Sequence, residues 1–93
     1  MYVTLYTKQA CQLCHVLKAD LLLLQSEIGF VLYEVDIDRD GEAARRYQHL
    51  IPVVDIQGGP LLYAPISYDD LFDALDTDKR NSATEGALRS LHE

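Results

Sequence analysis

The sequence predicts a single α/β domain, a four-stranded mixed sheet with three flanking helices in the order β-α-β-α-β-β-α. Three observations predict it. The apolar period switches from two to about 3.6 residues and back again along the chain. Two strand-like segments are separated by one amphipathic helical stretch, which a right-handed βαβ unit places in parallel. A Gly-Gly-Pro run then joins two later strand-like segments as a hairpin would. At 93 residues with 48% hydrophobic side chains, there is material for one modest core and one domain.

Residues 2–7, Tyr-Val-Thr-Leu-Tyr-Thr, are β-branched and aromatic and read as the first strand. A short loop, Lys8-Gln9-Ala10, leads to Cys11. From Gln12 to about Ser26 the spacing of Cys14, Leu17, Leu21, Leu24 and Ile28 marks one buried helix face, with Gly29 placed to stop it. Phe30–Asp36 forms the second strand, Asp38-Arg39-Asp40-Gly41 a turn, and Glu42–His49 a short helix favoured by its Ala and Arg residues. Ile51–Ile56 reads as a third strand that opens with Pro52, Gln57-Gly58-Gly59-Pro60 as a turn, and Leu61–Tyr63 as a fourth strand. Ser67 caps a last helix, with Asp70 three residues on and Leu71, Phe72 and Leu75 as its apolar side. The domain is therefore expected over residues 1–78, with 79–93 a polar C-terminal tail.

Charge and composition narrow the function. Fifteen acids against eight bases give a net charge of −7, which disfavours nucleic acid because phosphate contacts need clustered Lys and Arg. No apolar run approaches the roughly 18 residues a membrane helix needs. The first residues alternate like a strand and lack a basic leader, so a cytoplasmic location is expected. Two cysteines are too few for a secreted disulfide scaffold, and a structural zinc site needs more ligands than one close pair supplies. In a cytosolic chain such a pair points to redox chemistry.

Cys11 falls where the first strand passes into the first helix. Backbone N–H groups there lack intrahelical partners, and the helix dipole adds about half a positive charge. Both favour thiolate, the nucleophilic form, so Cys11 is the attacking group. Cys14, one turn further on the apolar face, is suited to resolve a mixed disulfide held on Cys11. Lys8, three residues before Cys11, can support the thiolate and hold a carboxylate of the partner. Arg45 and Arg46 on the short helix are candidates for a substrate carboxylate or for ion pairs with Glu42. The tyrosines read as packing groups at core edges.

With these residues in view, the chain resembles the glutaredoxin-like proteins of the thioredoxin fold. Three stretches carry the resemblance: Leu5–Cys14 with its Cys-X-X-Cys, Tyr33–Asp38, and Ile51-Pro52-Val53-Val54. It implies a thiol–disulfide oxidoreductase with Cys11 as nucleophile and Cys14 as resolving thiol. It also implies a cis Pro52 beside the pair, with Ile51 offering backbone hydrogen bonds to the bound thiol substrate. Protein or small-molecule disulfides are then the expected partners, and a reductase or glutathione the electron donor. No cofactor or metal is required, and a monomer is expected. The chain departs from typical glutaredoxins in two places. Gln12-Leu13 stands between the cysteines, and Tyr63-Ala64-Pro65-Ile66-Ser67 stands where a Gly-Gly pair and its following polar residues hold glutathione's γ-glutamyl end. Ser67 and Asp70 are what remains there to hold an amine. Thioredoxins proper carry a buried acid near the pair. No carboxylate here matches it, so proton transfer at Cys14 falls to water or another group; Asp36 and Glu34 on the second strand are candidates, with turn capping or solvated surface their expected role.

Two other chemistries fit the same cysteines. Cys11-Gln12-Leu13-Cys14-His15 matches the haem-attachment pattern, but that needs export, a second axial ligand and a helical pocket, and Met1 is the sole methionine. His15 then reads as a surface helix residue near Cys11. An iron–sulfur cluster or metal carrier, with the pair from each of two subunits supplying four thiolates, is the alternative from a different class.

Overall fold

The computed structural model describes residues 1–76. The 78/79 boundary and the tail expected over 79–93 lie outside the described residues. Within them the order is β1 (Tyr2–Thr7), α1 (Gln12–Ile28), β2 (Val31–Asp36), a 3₁₀ turn (Ile37–Arg39), α2 (Gly41–Tyr47), β3 (Val53–Ile56), β4 (Leu61–Tyr63) and α3 (Tyr68–Leu75). The sheet runs β2-β1-β3-β4. β1 and β2 are parallel, with Leu5 opposite Glu34 and Thr7 opposite Asp36. β1–β3 and β3–β4 are antiparallel, with Tyr6 opposite Val53 and Val53 opposite Tyr63. This is the thioredoxin-like arrangement of a mixed sheet between helices.

Alternation along the strands assigns the two faces. Val3 and Leu5 of β1, Val54 and Ile56 of β3, and Leu62 of β4 meet Leu17, Leu21 and Leu24 of α1 and Leu71, Ala74 and Leu75 of α3. Full burial of each leucine contributes about 1.5–3 kcal/mol, so this layer dominates stability. The opposite face is covered by α2, whose Tyr47 ring lies 4.6 Å from that of Tyr6, centroid to centroid.

Local chemistry explains the ends. α1 ends at Ile28, at the stop expected from Gly29. Gly29 then takes a left-handed φ of 79° and its N–H closes on the carbonyl of Gln25 at 2.9 Å. Gly58 holds φ 73° at the β3–β4 turn, where a side chain would be strained. Asp40 caps α2 by accepting from the Ala43 N–H at 3.0 Å, and the helix stops at Tyr47 instead of His49. β3 begins at Val53, after the proline, which has no N–H to give a ladder. Residues 37–39 form a 3₁₀ turn because the Asp36 side chain accepts the Asp38 N–H at 2.9 Å. On α3 the buried set is Leu71, Ala74 and Leu75, and Phe72 is 37% exposed. The expected apolar side was one position off: turning about 100° per residue carries Phe72 away from the sheet and brings Ala74 onto it.

Candidate functional site

β1 ends at Thr7, and residues 8–11 carry the chain across the end of the sheet to α1. Cys11 is the N-cap of α1, extended at φ −128° and ψ 102°. Its Sγ accepts the backbone N–H of Cys14 at 3.2 Å, and its carbonyl accepts from the His15 N–H at 3.2 Å. Cys11 and Cys14 are joined as a disulfide, with Cα atoms 5.2 Å apart. Cys11 is half-buried, and Cys14 is fully buried on the apolar face of the helix. The first turn of α1 carries no acidic residue, so nothing on the helix opposes negative charge at its N-terminus.

The loop before Cys11 is fastened. The Gln9 carbonyl accepts from Nε2–H of His15 at 2.9 Å, which fixes the tautomer of that ring. Thr7, buried, donates from Oγ1 to the Lys8 carbonyl at 3.5 Å. The role of His15 was not legible in the sequence, since a link across six residues of loop and helix has no periodic signature.

A cleft of about 710 Å³ opens on the β2 side of the pair, lined by Lys8, Cys14, His15, Lys18, Glu34 and Asp36 among others. Lys8 therefore shares a cavity with Cys14. Glu34 pairs with Lys18 at 3.1 Å. Asp36 caps the 3₁₀ turn and lies 3.9 Å from Arg39, so its capping role is seen together with a place in the cleft. Arg46 pairs with Glu42 at 3.2 Å.

The Ile51–Pro52 peptide is cis and Pro52 is buried. Because Val53 pairs with Tyr6, Pro52 enters the sheet at the end of β1 from which the Cys11 loop departs. The Ile51 N–H is already engaged, donating to the Tyr47 carbonyl at 3.1 Å, and the Pro52 carbonyl accepts from Ala64 at 3.2 Å.

Residues 2–76 match the family Glutaredoxin-like domain (DUF836). The chain belongs to this family. Among solved structures, the glutaredoxin-like domain is similar to the Northeast Structural Genomics target protein XcR50 from X. campestris, at 29% identity and TM-score 0.61, over 74% of this chain and 88% of that one. It is also similar to protein Ne2328 from Nitrosomonas europaea, at 25% identity and TM-score 0.62, over 75% and 85% of the two chains. A malarial protein at 23% identity and TM-score 0.56 shares the fold, over 76% and 88%. No curated protein matches the chain. A glutaredoxin-like domain with its two cysteines paired at a helix N-terminus fits a redox role.

At the start of α3 the glutaredoxin-like domain closes on itself. Ser67 N–H donates to Asp70 Oδ2 at 2.9 Å and Asp70 N–H donates to Ser67 Oγ at 3.0 Å, a reciprocal capping box. The Ser67 backbone N–H first, and then the Ser67 side chain, hold the Asp70 carboxyl below its ordinary 3.8. The residues expected to remain for an amine are thus engaged with each other. Among the described residues no helix is long and apolar enough to cross a membrane, and no three His, Cys, Asp or Glu side chains converge as metal ligands.

Proposed function

We propose that this glutaredoxin-like domain is a thiol–disulfide oxidoreductase working through Cys11 and Cys14. The observation that carries the reading is the asymmetry of the pair. Cys11 is half-buried at a helix N-cap and its sulfur receives an amide N–H, while Cys14 is fully buried one turn on. In the reduced protein that N–H and the helix dipole stabilise a Cys11 thiolate. The thiolate attacks a substrate disulfide, forming a Cys11–substrate S–S bond and releasing one substrate thiol. Cys14 then gives up its proton and attacks Cys11 Sγ, which closes the Cys11–Cys14 bond and releases the second thiol. The substrate gains two electrons and two protons, and the pair loses them.

Lys8 supplies positive charge beside the pair, and Pro52 with Ile51 forms the opposite wall. The Ile51 carbonyl is the group offered to substrate, since its N–H is committed to Tyr47. A reductase dithiol or glutathione restores the reduced pair, with no cofactor, and the protein acts as a cytoplasmic monomer on protein or small-molecule disulfides.

A redox titration of metal-free protein in glutathione buffers, read by thiol alkylation and mass spectrometry, tests this. A reversible two-electron transition between about −180 and −270 mV is expected. Thiols that stay reduced throughout, or that are protected only with bound iron or zinc, would move the pair to cluster carriage.

A further inference from the structure

The two helices on the core face both begin at the end of the sheet that holds Cys11. α1 follows the end of β1. α3 follows the end of β4, whose Tyr63 lies opposite Val53. They pack against each other. The β2-side flank of α1 is identified by the cleft, to which it contributes His15, Lys18, Ala19 and Leu22. At about 100° per residue, positions 13, 16, 20 and 27 lie on the other flank, the one turned to α3, with Leu23 on the outward crest beside them. On α3, Asp70, Asp73 and Ala74 face β4 across a shallow groove, which leaves Tyr68 and Phe72 on the flank turned to α1.

The furrow between the helices is therefore walled by Leu13 and Val16 on one side, with Leu23 at the outer edge, and by Tyr68 and Phe72 on the other. All five are exposed, Leu13 by 67% and Val16 by 56%. Five large apolar side chains exposed on two packed helices stand out where scattered single exposures are the norm, and the set starts at the residue beside the disulfide. Its rim is acidic. Asp20 and Glu27 lie along the α1 wall and Asp69 beside the α3 wall, and among the described residues neither flank carries a Lys or Arg.

Resting on the redox reading above, we propose that the α1–α3 furrow is the substrate-docking surface. Its occupant is a polypeptide whose reactive cysteine is flanked by apolar residues and a basic side chain. Continuity carries the assignment: any disulfide that reaches Cys11 lies against Leu13, and a chain running on from it along the furrow covers Val16, Tyr68 and Phe72. Charge selects the same class. The acidic rim attracts Lys or Arg and repels the anionic tripeptide glutathione. The helix end that could take a carboxylate on that side is closed by the Ser67–Asp70 box. During turnover the peptide disulfide takes two electrons and two protons from Cys11 and Cys14 and leaves as two thiols. A dithiol reductant then returns them to the pair.

The test compares four disulfides on the full-length reduced protein: a peptide with Leu and Phe beside its cysteine and Lys at its ends, the same peptide with Ser and Asp in those places, the small neutral 2-hydroxyethyl disulfide, and glutathione disulfide. The apolar, basic peptide is expected to react about tenfold faster than the acidic one and than glutathione disulfide. Val16→Lys and Leu23→Lys should raise KM for it about tenfold with kcat unchanged, and leave the neutral disulfide within twofold. Leu23 is a second probe about 18 Å along the helix from Cys11, too far to disturb the thiolate. Equal rates for both peptides, faster reaction of glutathione disulfide, or variants without effect would overturn the docking surface while the oxidoreductase stands. Self-association lost in Val16→Lys would instead assign the furrow to a second copy. A wild-type protein inert toward the neutral disulfide would overturn the redox reading itself.

Discussion

The backbone N–H of Cys14 points at the sulfur of Cys11 across 3.2 Å. Cys11 thus caps α1 with its own side chain, at a position usually held by Ser, Thr, Asp or Asn. The same donor that meets a disulfide sulfur in the oxidised pair faces a thiolate in the reduced one, where charge strengthens the bond.

From this follows a difference in reactivity between the thiols. Cys11 in the reduced protein is expected to ionise below the free-cysteine value of about 8.5 and to alkylate first. Cys14, with no exposed surface, should alkylate slowly. Iodoacetamide labelling against pH, resolved by peptide mass spectrometry, reads both. Cys11→Ser should abolish disulfide reduction, and Cys14→Ser should accumulate mixed disulfides on Cys11. Labelling of Cys14 ahead of Cys11 would reverse the assigned roles.

The Ser67–Asp70 box predicts acid sensitivity at α3. The lowered carboxyl pKa means that the folded state favours the charged form, so this contribution is present above the ordinary 3.8 and is lost as pH falls through the lower folded value. Ser67→Ala should cost about 1 kcal/mol in urea denaturation near neutral pH. It should also raise the Asp70 pKa only part of the way toward 3.8, followed by carbon-detected NMR titration, because the backbone N–H at position 67, the larger cause, remains. A pKa unchanged in the variant would show that the Ser67 hydroxyl takes no part in holding the carboxyl.

How much of this was legible beforehand depends on whether a feature is local. The βαβ order, the Gly29 stop, the Ser67 cap with Asp70, and the pair at the start of α1 each follow from neighbours within a turn or two. Leu17, Leu21 and Leu24 declared the buried face because 3.6-residue periodicity is a one-dimensional signal. Phe72 did not, since in a helix of eight residues one step of rotation separates a core position from an exposed one. The links from His15 to Gln9 and from Ile51 to Tyr47 depend on how loops fold back on helices. The meeting of Lys8, Cys14 and Asp36 in one cleft depends on the Thr7–Asp36 strand register, and no spacing announces these.

Tyr6 predicts an alkaline transition. Burial first, then the neighbouring Tyr47 and Asp55, holds its phenol above the ordinary 10.0, with Arg46 pulling the other way. A raised folded pKa means that the neutral form is favoured, so the contribution is intact below pH 10 and is lost as pH rises through the folded value. Absorbance at 295 nm should show one tyrosine ionising after the others, and Tyr6→Phe should remove that step and flatten the fall in stability above pH 10. An unchanged late step in the variant would assign it to a different tyrosine.

The run Leu21-Leu22-Leu23-Leu24 offers a test of the fold in which chemistry is constant and only position varies. Leu21 and Leu24 are fully buried between α1 and the sheet, whereas Leu22 and Leu23 are 46% and 59% exposed. Truncating a buried leucine loses its transfer energy and leaves a cavity, so Leu21→Ala and Leu24→Ala should each cost about 2–5 kcal/mol. Leu22→Ala and Leu23→Ala should remain within about 0.5 kcal/mol, because Ala also has the higher helix propensity. Urea denaturation of the four variants reads this as a shift in midpoint at constant slope. A large loss at Leu23 would place that side chain in the core, and with it remove the outer edge of the furrow beside the redox pair.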